Sequence, residues 1–146
     1  MSGRVLDVLV VERDPEIAHR IGVALRRRGH RVRTTASAEA ALVLPVPEVL
    51  VADIELEGLS GFELLECLRE EPGCPRTVFT TRTPDFDVCR RAMVLGASDL
   101  LLHPLDLGEL VRAVEGGLDE EAQRAQRFER ELPARVDEAD RTVRAL

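Results

Sequence analysis

The stretch Val49-Leu-Val-Ala-Asp53-Ile-Glu-Leu-Glu-Gly-Leu-Ser-Gly-Phe-Glu-Leu-Leu65 joins an apolar run to one acid, a glycine-containing turn and an amphipathic run. The apolar part, Val49 to Ala52, lacks the polar alternation of a half-exposed strand, which predicts a strand covered by helices on both faces, as in a parallel sheet. Asp53 would end this strand. Ligands collect at the carboxyl ends of strands in open parallel sheets, so Asp53 is the first candidate functional residue. The alternative is that Asp53 only caps the loop into the next helix.

Five strand-like runs alternate with helix-like runs along the chain, and this alternation predicts a parallel sheet with right-handed crossovers. The spacing is typical of a flavodoxin-like α/β fold, a (βα)5 doubly wound parallel sheet with strand order 2-1-3-4-5. In that order the ends of the first and third strands flank the point where the order reverses, which would set Glu12 and Arg13 beside Asp53. The predicted strands are Leu6–Val11, Arg31–Thr35, Val49–Asp53, Thr77–Thr81 and Asp99–His103, and the helices begin near Pro15, Ser37, Gly61, Phe86 and Asp106.

The end of the chain predicts more helix than one domain needs. Apolar residues fall seven apart at Leu118, Ala125, Leu132, Ala139 and Leu146, as in a coiled coil. Pro133 would interrupt that helix, so we predict helix to about Leu132 and a second helix from Pro133. Domain 1–118 is thus predicted to carry a helical extension, 119–146, with a solvated or partly disordered tail as the alternative.

The composition narrows the classes of function. The net charge of −7 argues against nucleic-acid binding, because phosphate contacts need a basic surface. No apolar run approaches a membrane span, and the first residues lead into a strand instead of a signal peptide, so we expect no membrane contact and a cytoplasmic location. The three cysteines, Cys67, Cys74 and Cys89, have no metal-ligand spacing and are expected to be free thiols.

The segment Asp53-Ile-Glu-Leu-Glu-Gly-Leu-Ser-Gly-Phe-Glu-Leu64 resembles the phosphorylation site of bacterial response-regulator receiver domains, the CheY-like domains in which this Asp accepts a phosphoryl group from a histidine kinase. The resemblance extends over roughly Val5 to Leu118. It implies Asp53 as phosphoacceptor and a Mg²⁺ site made by Glu12, Asp53 and the backbone carbonyl of Glu55. It further implies a phosphoryl contact from the hydroxyl of Thr80, with the neighbouring Thr81 as a second candidate.

Three positions depart from the family pattern. Arg13 stands where the family has a second acid, which removes a Mg²⁺ ligand and adds a cation. We predict that Arg13 pairs with Asp53 or Glu12 as a counterion of the site; the alternative is that it extends into solvent and leaves weak metal binding. His103 stands at the position where the family has a lysine. This chain has 20 Arg and no Lys, so an arginine would be the expected replacement there. His103 would give a weaker phosphoryl contact or simply pack beside Pro104. Leu100 stands at the aromatic switch position and has no hydroxyl to report phosphorylation.

These observations predict a stand-alone, atypical receiver, a pseudo-receiver, that acts mainly as a phosphorylation-independent protein-interaction module and not as an enzyme. It would need no cofactor. Its partner would be a signalling protein bound at the face of the fourth helix, fifth strand and fifth helix, or at the C-terminal helix, and a homodimer is a further expectation. The alternative is a conventional response regulator phosphorylated on Asp53 with Mg²⁺. A flavin or nucleotide site is disfavoured because no Gly-rich loop follows the first strand.

Overall fold

A computed structural model describes residues 4–116, in which five strands alternate with five helices. The strands are β1 (Asp7–Val11), β2 (Arg31–Thr35), β3 (Val49–Asp53), β4 (Arg76–Thr81) and β5 (Asp99–Leu102), and the helices are α1 (Pro15–Arg27), α2 (Ala38–Leu42), α3 (Gly61–Leu68), α4 (Phe86–Val94) and α5 (Leu107–Glu115). All pairings are parallel and the order is β2-β1-β3-β4-β5. The predicted flavodoxin-like fold and its strand order are confirmed.

Each face of the sheet carries its own apolar core. Because successive side chains of a strand point to opposite faces, Leu50 and Ala52 pack in one core and Val49 and Val51 in the other. The first core is completed by α2, α3 and α4, and the second by α1 and α5. All five residues of β3 are buried, which explains the apolar run without polar alternation.

Side chains at the helix starts fix where the loops end. Asp14 caps α1 by accepting hydrogen bonds from the backbone N–H groups of Glu16 and Ile17, with Pro15 as the first helical residue, as predicted. At α3 the Ser60 hydroxyl accepts from the Glu63 N–H while the Glu63 carboxylate accepts from the Ser60 N–H. This reciprocal pair satisfies two otherwise unpaired donors directly after the Asp53 loop.

The fifth helix is shorter than the sequence predicts. It ends at Glu115, and Gly116 has an extended backbone with φ −51° and ψ 128°. The prediction of one helix running from Leu107 to about Leu132 is therefore wrong at this point, because two consecutive glycines, each costing about 1 kcal/mol in a helix, follow Glu115. The predicted extension 119–146 lies outside the described residues. Among residues 4–116, no helix combines the length and the apolar character that crossing a membrane requires.

The strand register brings the predicted site residues to one edge of the sheet. Val11 pairs with Ala52, so Glu12 and Asp53 follow on neighbouring strands, and Asp53 pairs with Thr80 of β4. The turn after Asp53 is tight at Gly61, where a Cβ atom would lie only 2.5 Å from the Asp53 carbonyl oxygen. Because any side chain at position 61 would collide with the Asp53 backbone, glycine is required there.

Candidate functional site at the carboxyl edge of the sheet

Three potential metal ligands meet where β1, β3 and β5 end. One ligand atom from each of Glu12, Asp53 and His103 lies within 4.8 Å of the other two. Glu12 and Asp53 are almost fully buried, with 3% and 1% of their surface exposed. The topology thus brings together Glu12 and Asp53, as predicted from the strand ends, with His103, the predicted phosphoryl-contact candidate that directly follows β5.

The counterion of this site is Arg82, which directly follows β4. Its Nη1 donates a hydrogen bond of 2.7 Å to Asp53 Oδ2, and its Nη2 lies 4.0 Å from Glu12 Oε2. Partial burial lowers the pKa of Arg82, but the hydrogen bond and charge of Asp53 outweigh this and hold the pKa above its ordinary value. Asp53 is therefore engaged by a cation that belongs to the chain itself.

The structure places Arg13 elsewhere than predicted. Its Nη1 donates to Glu57 Oε1 at 3.3 Å, and about half of the side chain is exposed. Arg13 lies in the bend between β1 and α1, where its side chain turns toward Glu57 and away from Asp53. The prediction of Arg13 as site counterion is corrected to Arg82, and the solvent-facing alternative describes Arg13.

The sequence contained one usable signal for Arg82. In the predicted order β4 neighbours β3, so a cation directly after β4 stands beside Asp53. The signal was weak because a residue after a strand end can turn either way, and only the contacts of the loop decide its direction.

The Glu55 side chain holds the backbone of the loop that carries Arg82. Its carboxylate accepts hydrogen bonds from the Thr81 hydroxyl and, at 2.7 Å, from the backbone N–H of Arg82. The Glu55 N–H in turn donates to Asp53 Oδ1 at 3.2 Å. Sequence reasoning assigned Glu55 only a backbone carbonyl role; its side chain ties the loop after β4 to the loop after β3.

Thr81, and not Thr80, brings a hydroxyl to these carboxylates. The Thr81 hydroxyl donates to Glu55, whereas the contact of Thr80 is its backbone carbonyl, which accepts from the Ile54 N–H at 2.9 Å. The geometry therefore favours Thr81 over Thr80 as the site hydroxyl. Leu100, at the predicted switch position, is 5% exposed and packs in the core between the sheet and α2 to α4.

Burial shifts the titration of both Glu12 and His103. Desolvation is the main cause that raises the pKa of Glu12 from 4.5 to about 7, and the charge of Asp53 adds to it, while a hydrogen bond from the Asp14 N–H to Oε2 opposes it. Desolvation also lowers the pKa of His103, and the Arg82 charge lowers it further. Both shifts follow from moving charge out of water.

The donor set fits Mg²⁺ poorly. Mg²⁺ prefers oxygen ligands in an octahedral shell. Here Arg82 occupies Asp53 Oδ2, Arg13 points away, and the third side chain at the site is an imidazole. The carboxylates of Glu12 and Asp53 remain as possible oxygen ligands, and the charge of Asp53 is already balanced by its ion pair with Arg82.

Comparison with known proteins places the chain in a family. The sequence model of the response regulator receiver domain matches residues 8–115. The chain is 34% identical over 113 residues to the transcriptional regulatory protein AfsQ1 of Streptomyces coelicolor and 33% identical over 114 residues to the probable transcriptional regulatory protein TcrX of Mycobacterium tuberculosis.

The aligned region covers 73% and 75% of this chain and 50% and 48% of AfsQ1 and TcrX, so the chain spans about half the length of these relatives. Among solved structures, the response regulator StyR superposes with a TM-score of 0.69 at 34% identity, over 85% of this chain and 64% of that one. Fold, site position and sequence agree, and the chain belongs to the response regulator receiver domain family.

Proposed function

We propose that this receiver domain acts mainly as a phosphorylation-independent protein-interaction module in two-component signalling, in the cytoplasm. The observation that carries the proposal is the 2.7 Å hydrogen bond between Arg82 and the fully buried carboxylate of Asp53. Receiver domains interact with signalling partners such as kinases. This member would bind its signalling partner without phosphorylation of Asp53.

Both oxygens of Asp53 are engaged before any phosphodonor arrives. Oδ2 accepts from Arg82, and Oδ1 accepts from the Glu55 N–H. Each of these oxygens keeps a second lone pair, but a charge-assisted hydrogen bond lowers the nucleophilicity of the carboxylate that accepts it. Phosphorylation of Asp53 should therefore be slow while Arg82 holds this buried anion.

We place the partner surface at the α4, β5 and α5 face. Val94 is 69% exposed and Leu102 46% exposed on this face, and Met93 adds to the apolar surface. Exposed apolar side chains on this face favour protein contact. A homodimer would use the same face, and the C-terminal extension remains the second proposed contact.

The competing function is a conventional response regulator phosphorylated on Asp53 by a histidine kinase. It is favoured by the relatives, which are named as transcriptional regulatory proteins, and by the presence of Asp53 and Glu12 at the ends of β3 and β1. This function would require Arg82 to leave Asp53 when the kinase binds, with Mg²⁺ held by Glu12 and Asp53.

Incubation with acetyl phosphate and Mg²⁺, followed by intact-protein mass spectrometry, separates the two functions. We expect little phosphorylation of the wild type and at least about tenfold faster phosphorylation of Arg82→Ala, corresponding to about 1.4 kcal/mol in the barrier. Asp53→Asn is the negative control. Arg13→Ala, which removes an equal charge from an exposed ion pair, should behave as wild type. Equal, rapid phosphorylation of wild type and Arg82→Ala would support the conventional function instead.

A further inference from the structure

Arginines are concentrated where α1 ends, although the chain as a whole has a net charge of −7. Arg26 and Arg27 lie in the last turn of α1 and Arg28 is its C-cap, and all three are exposed. The end of a helix carries about half a negative charge, so a single cation would balance it. The remaining positive charge makes this basic helix end (26–28) an attractive surface for an anion.

Only one acid in the described part of the chain pairs with the basic helix end. Arg28 donates two hydrogen bonds to the Glu115 carboxylate. Arg26 donates to the backbone carbonyl of Val32 at 2.9 Å, a contact that balances no charge. Within residues 4–116, Arg27 forms no ion pair and no side-chain hydrogen bond. Two of the three guanidinium groups therefore face solvent without an anion from residues 4–116.

The chain continues from this same surface. Glu115 is the last residue of α5, and its carboxylate is held by Arg28 and, at 2.8 Å, by His30. Beyond Gly116 the sequence reads Gly-Leu-Asp-Glu-Glu, so three consecutive acids occupy positions 119–121. An extended chain spans at most about 3.3–3.6 Å per residue, which gives these acids a reach of up to about 10–18 Å from Gly116. The basic helix end lies within that reach, because Arg28 binds the residue before Gly116.

We propose that the basic helix end binds the acidic segment 119–121 of the same chain. Exposed ion pairs are individually weak, but several charges of each sign meet here, and the short connection to α5 gives the acids a high effective concentration. The contact continues the one that Glu115 already makes between α5 and α1.

The contact would set the direction in which the C-terminal extension begins. The helices α1 and α5 cover one face of the sheet, and α4 covers the other. An extension that starts along α1 leaves α4 accessible to a partner. The inference holds whether or not Asp53 accepts a phosphoryl group.

NMR of the full chain, with arginine side-chain resonances as the readout, compares two variants that each lose three acids. One loses the acidic segment and the other loses three acids farther along the extension. The first is Asp119→Asn/Glu120→Gln/Glu121→Gln, and the second is Asp137→Asn/Glu138→Gln/Asp140→Asn. We expect the Nε–Hε resonances of Arg27 and Arg28 to shift in the first variant and to stay in place in the second. Raising NaCl from about 0.05 M to about 0.5 M should cause similar shifts in wild type, because salt screens exposed charges.

Arg31 provides the control on the basic side. It is exposed, and within residues 4–116 it has no ion pair. Its neighbour Val32 packs toward α1 and α5, so the alternation of the strand directs Arg31 to the other face of the sheet. Arg27→Ala should therefore shift the backbone amides of segment 119–121, whereas Arg31→Ala should leave them unchanged. Equal effects of these two substitutions would overturn the inference.

A spin label distinguishes a contact within one chain from a contact between two copies. Gln123→Cys carries the label in a Cys67→Ser/Cys74→Ser background, which lacks the two exposed thiols. We expect the label to broaden the backbone amides of residues 26–28 at low salt and much less at about 0.5 M NaCl. When the spin-labelled chain is mixed with a ¹⁵N-labelled chain that has no spin label, these amides should stay sharp.

Three results of these experiments would overturn the inference. Broadening in the mixture would assign the basic helix end to a second copy. Equal broadening at low and high salt would show that charge does not bring the segment to α1. Equal shifts of Arg27 in the two triple variants would show that the acids of segment 119–121 have no special role. None of these results depends on the acetyl phosphate assay.

Discussion

Two hydrogen bonds of different origin hold the Asp53 carboxylate. One comes from a side chain, Arg82, and the other from the backbone N–H of Glu55. The backbone contact belongs to the turn that the fold requires, whereas the guanidinium contact depends on one residue. At the scale of single residues, removal of the Arg82 side chain should therefore change the charge around Asp53 and leave the backbone of the turn in place.

The pH dependence of the free energy of unfolding reports on Glu12, which belongs to the same cluster. Its pKa is raised from 4.5 to about 7, so between these values the folded state binds more protons than the unfolded state. The free energy of unfolding therefore falls as the pH rises through this window, and the loss is complete above it. In metal-free buffer, Glu12→Gln should be more stable than wild type by about 1–3 kcal/mol at about pH 8 and nearly equal at about pH 5, by urea unfolding.

Glu57→Gln is the matched control, because Glu57 is exposed and pairs only with Arg13 among the contacts described. Its effect on unfolding should be small and independent of pH. A Glu12→Gln protein that is less stable than wild type at the higher pH would contradict the burial of an unfavourable charge at this position.

Most residues of the site, but not its counterion Arg82, could be predicted from the sequence. Asp53 and Glu12 were predictable because strand ends of a parallel sheet meet at one edge, a consequence of topology. Arg82 and the Glu55 side chain were not, because their roles depend on side-chain direction in loops. Thr80 was preferred to Thr81 for a similar reason: two adjacent hydroxyls end β4, and only their contacts distinguish them.

At the scale of elements, the turn between β3 and α3 sets the position of Asp53. Gly61 begins α3 against the Asp53 carbonyl, and Ser60 and Glu63 cap the helix. Gly61→Ala would place a Cβ atom 2.5 Å from that oxygen, which backbone movement must relieve. We expect a loss of about 1–3 kcal/mol in the free energy of unfolding.

Gly22→Ala is the control within the same molecule. Gly22 lies inside α1, and a Cβ atom there would meet the end of the flexible Arg26 side chain at 3.0 Å. Because alanine favours helix over glycine, this variant should be unchanged or stabilised by up to about 1 kcal/mol. Equal destabilisation of both variants in urea unfolding would contradict the role assigned to Gly61.

The end of α5 is fixed to α1 and β1 by a buried histidine. His30 Nδ1 accepts from the Leu6 N–H, so Nε2 carries the proton and donates to Glu115 Oε2 at 2.8 Å. Arg28 donates two further hydrogen bonds to the same carboxylate, and these are the main cause that lowers the pKa of Glu115. The helix is thereby held up to its last residue.

Glu115→Ala removes the only acceptor described for His30 Nε2. It should cost about 1–3 kcal/mol at neutral pH, measured by urea unfolding. Since the folded pKa of Glu115 lies below its ordinary value, this stabilisation is present above that value and is lost as the pH falls through the lower one. Glu109→Ala, at an exposed position of the same helix, is the control. An equal effect of the two substitutions would rule out a special role for the buried contact.

Element order was predictable from the alternation of patterns, and element ends were less so. The start of α1 at Pro15 was located to the residue. The apolar residues seven apart from Leu118 onward predict a longer fifth helix, whereas α5 ends at Glu115, before Gly116 and Gly117. Glycine ends a helix locally, whatever pattern follows.

At the scale of the whole molecule, the fold and the chemistry of the edge have different origins. The parallel sheet, its two cores and the edge where the site lies are those of the receiver family. At that edge a guanidinium engages Asp53, and an imidazole faces Glu12. Membership in the family therefore establishes the fold, and we propose that these residues determine what the edge binds.

Whether Arg82 closes the site can be measured by titration with Mg²⁺ and then beryllofluoride, a phosphoryl mimic, with the backbone amide NMR shifts of Asp53, Thr81 and β5 as the readout. Wild type and Arg82→Ala are compared under the same conditions. If the Arg82 contact closes the site, the wild-type amides stay unchanged at millimolar Mg²⁺ and beryllofluoride, whereas those of Arg82→Ala shift. A wild type that binds both ligands and shifts in β5 as strongly as the variant would contradict the claim, and so would a folded variant that remains silent.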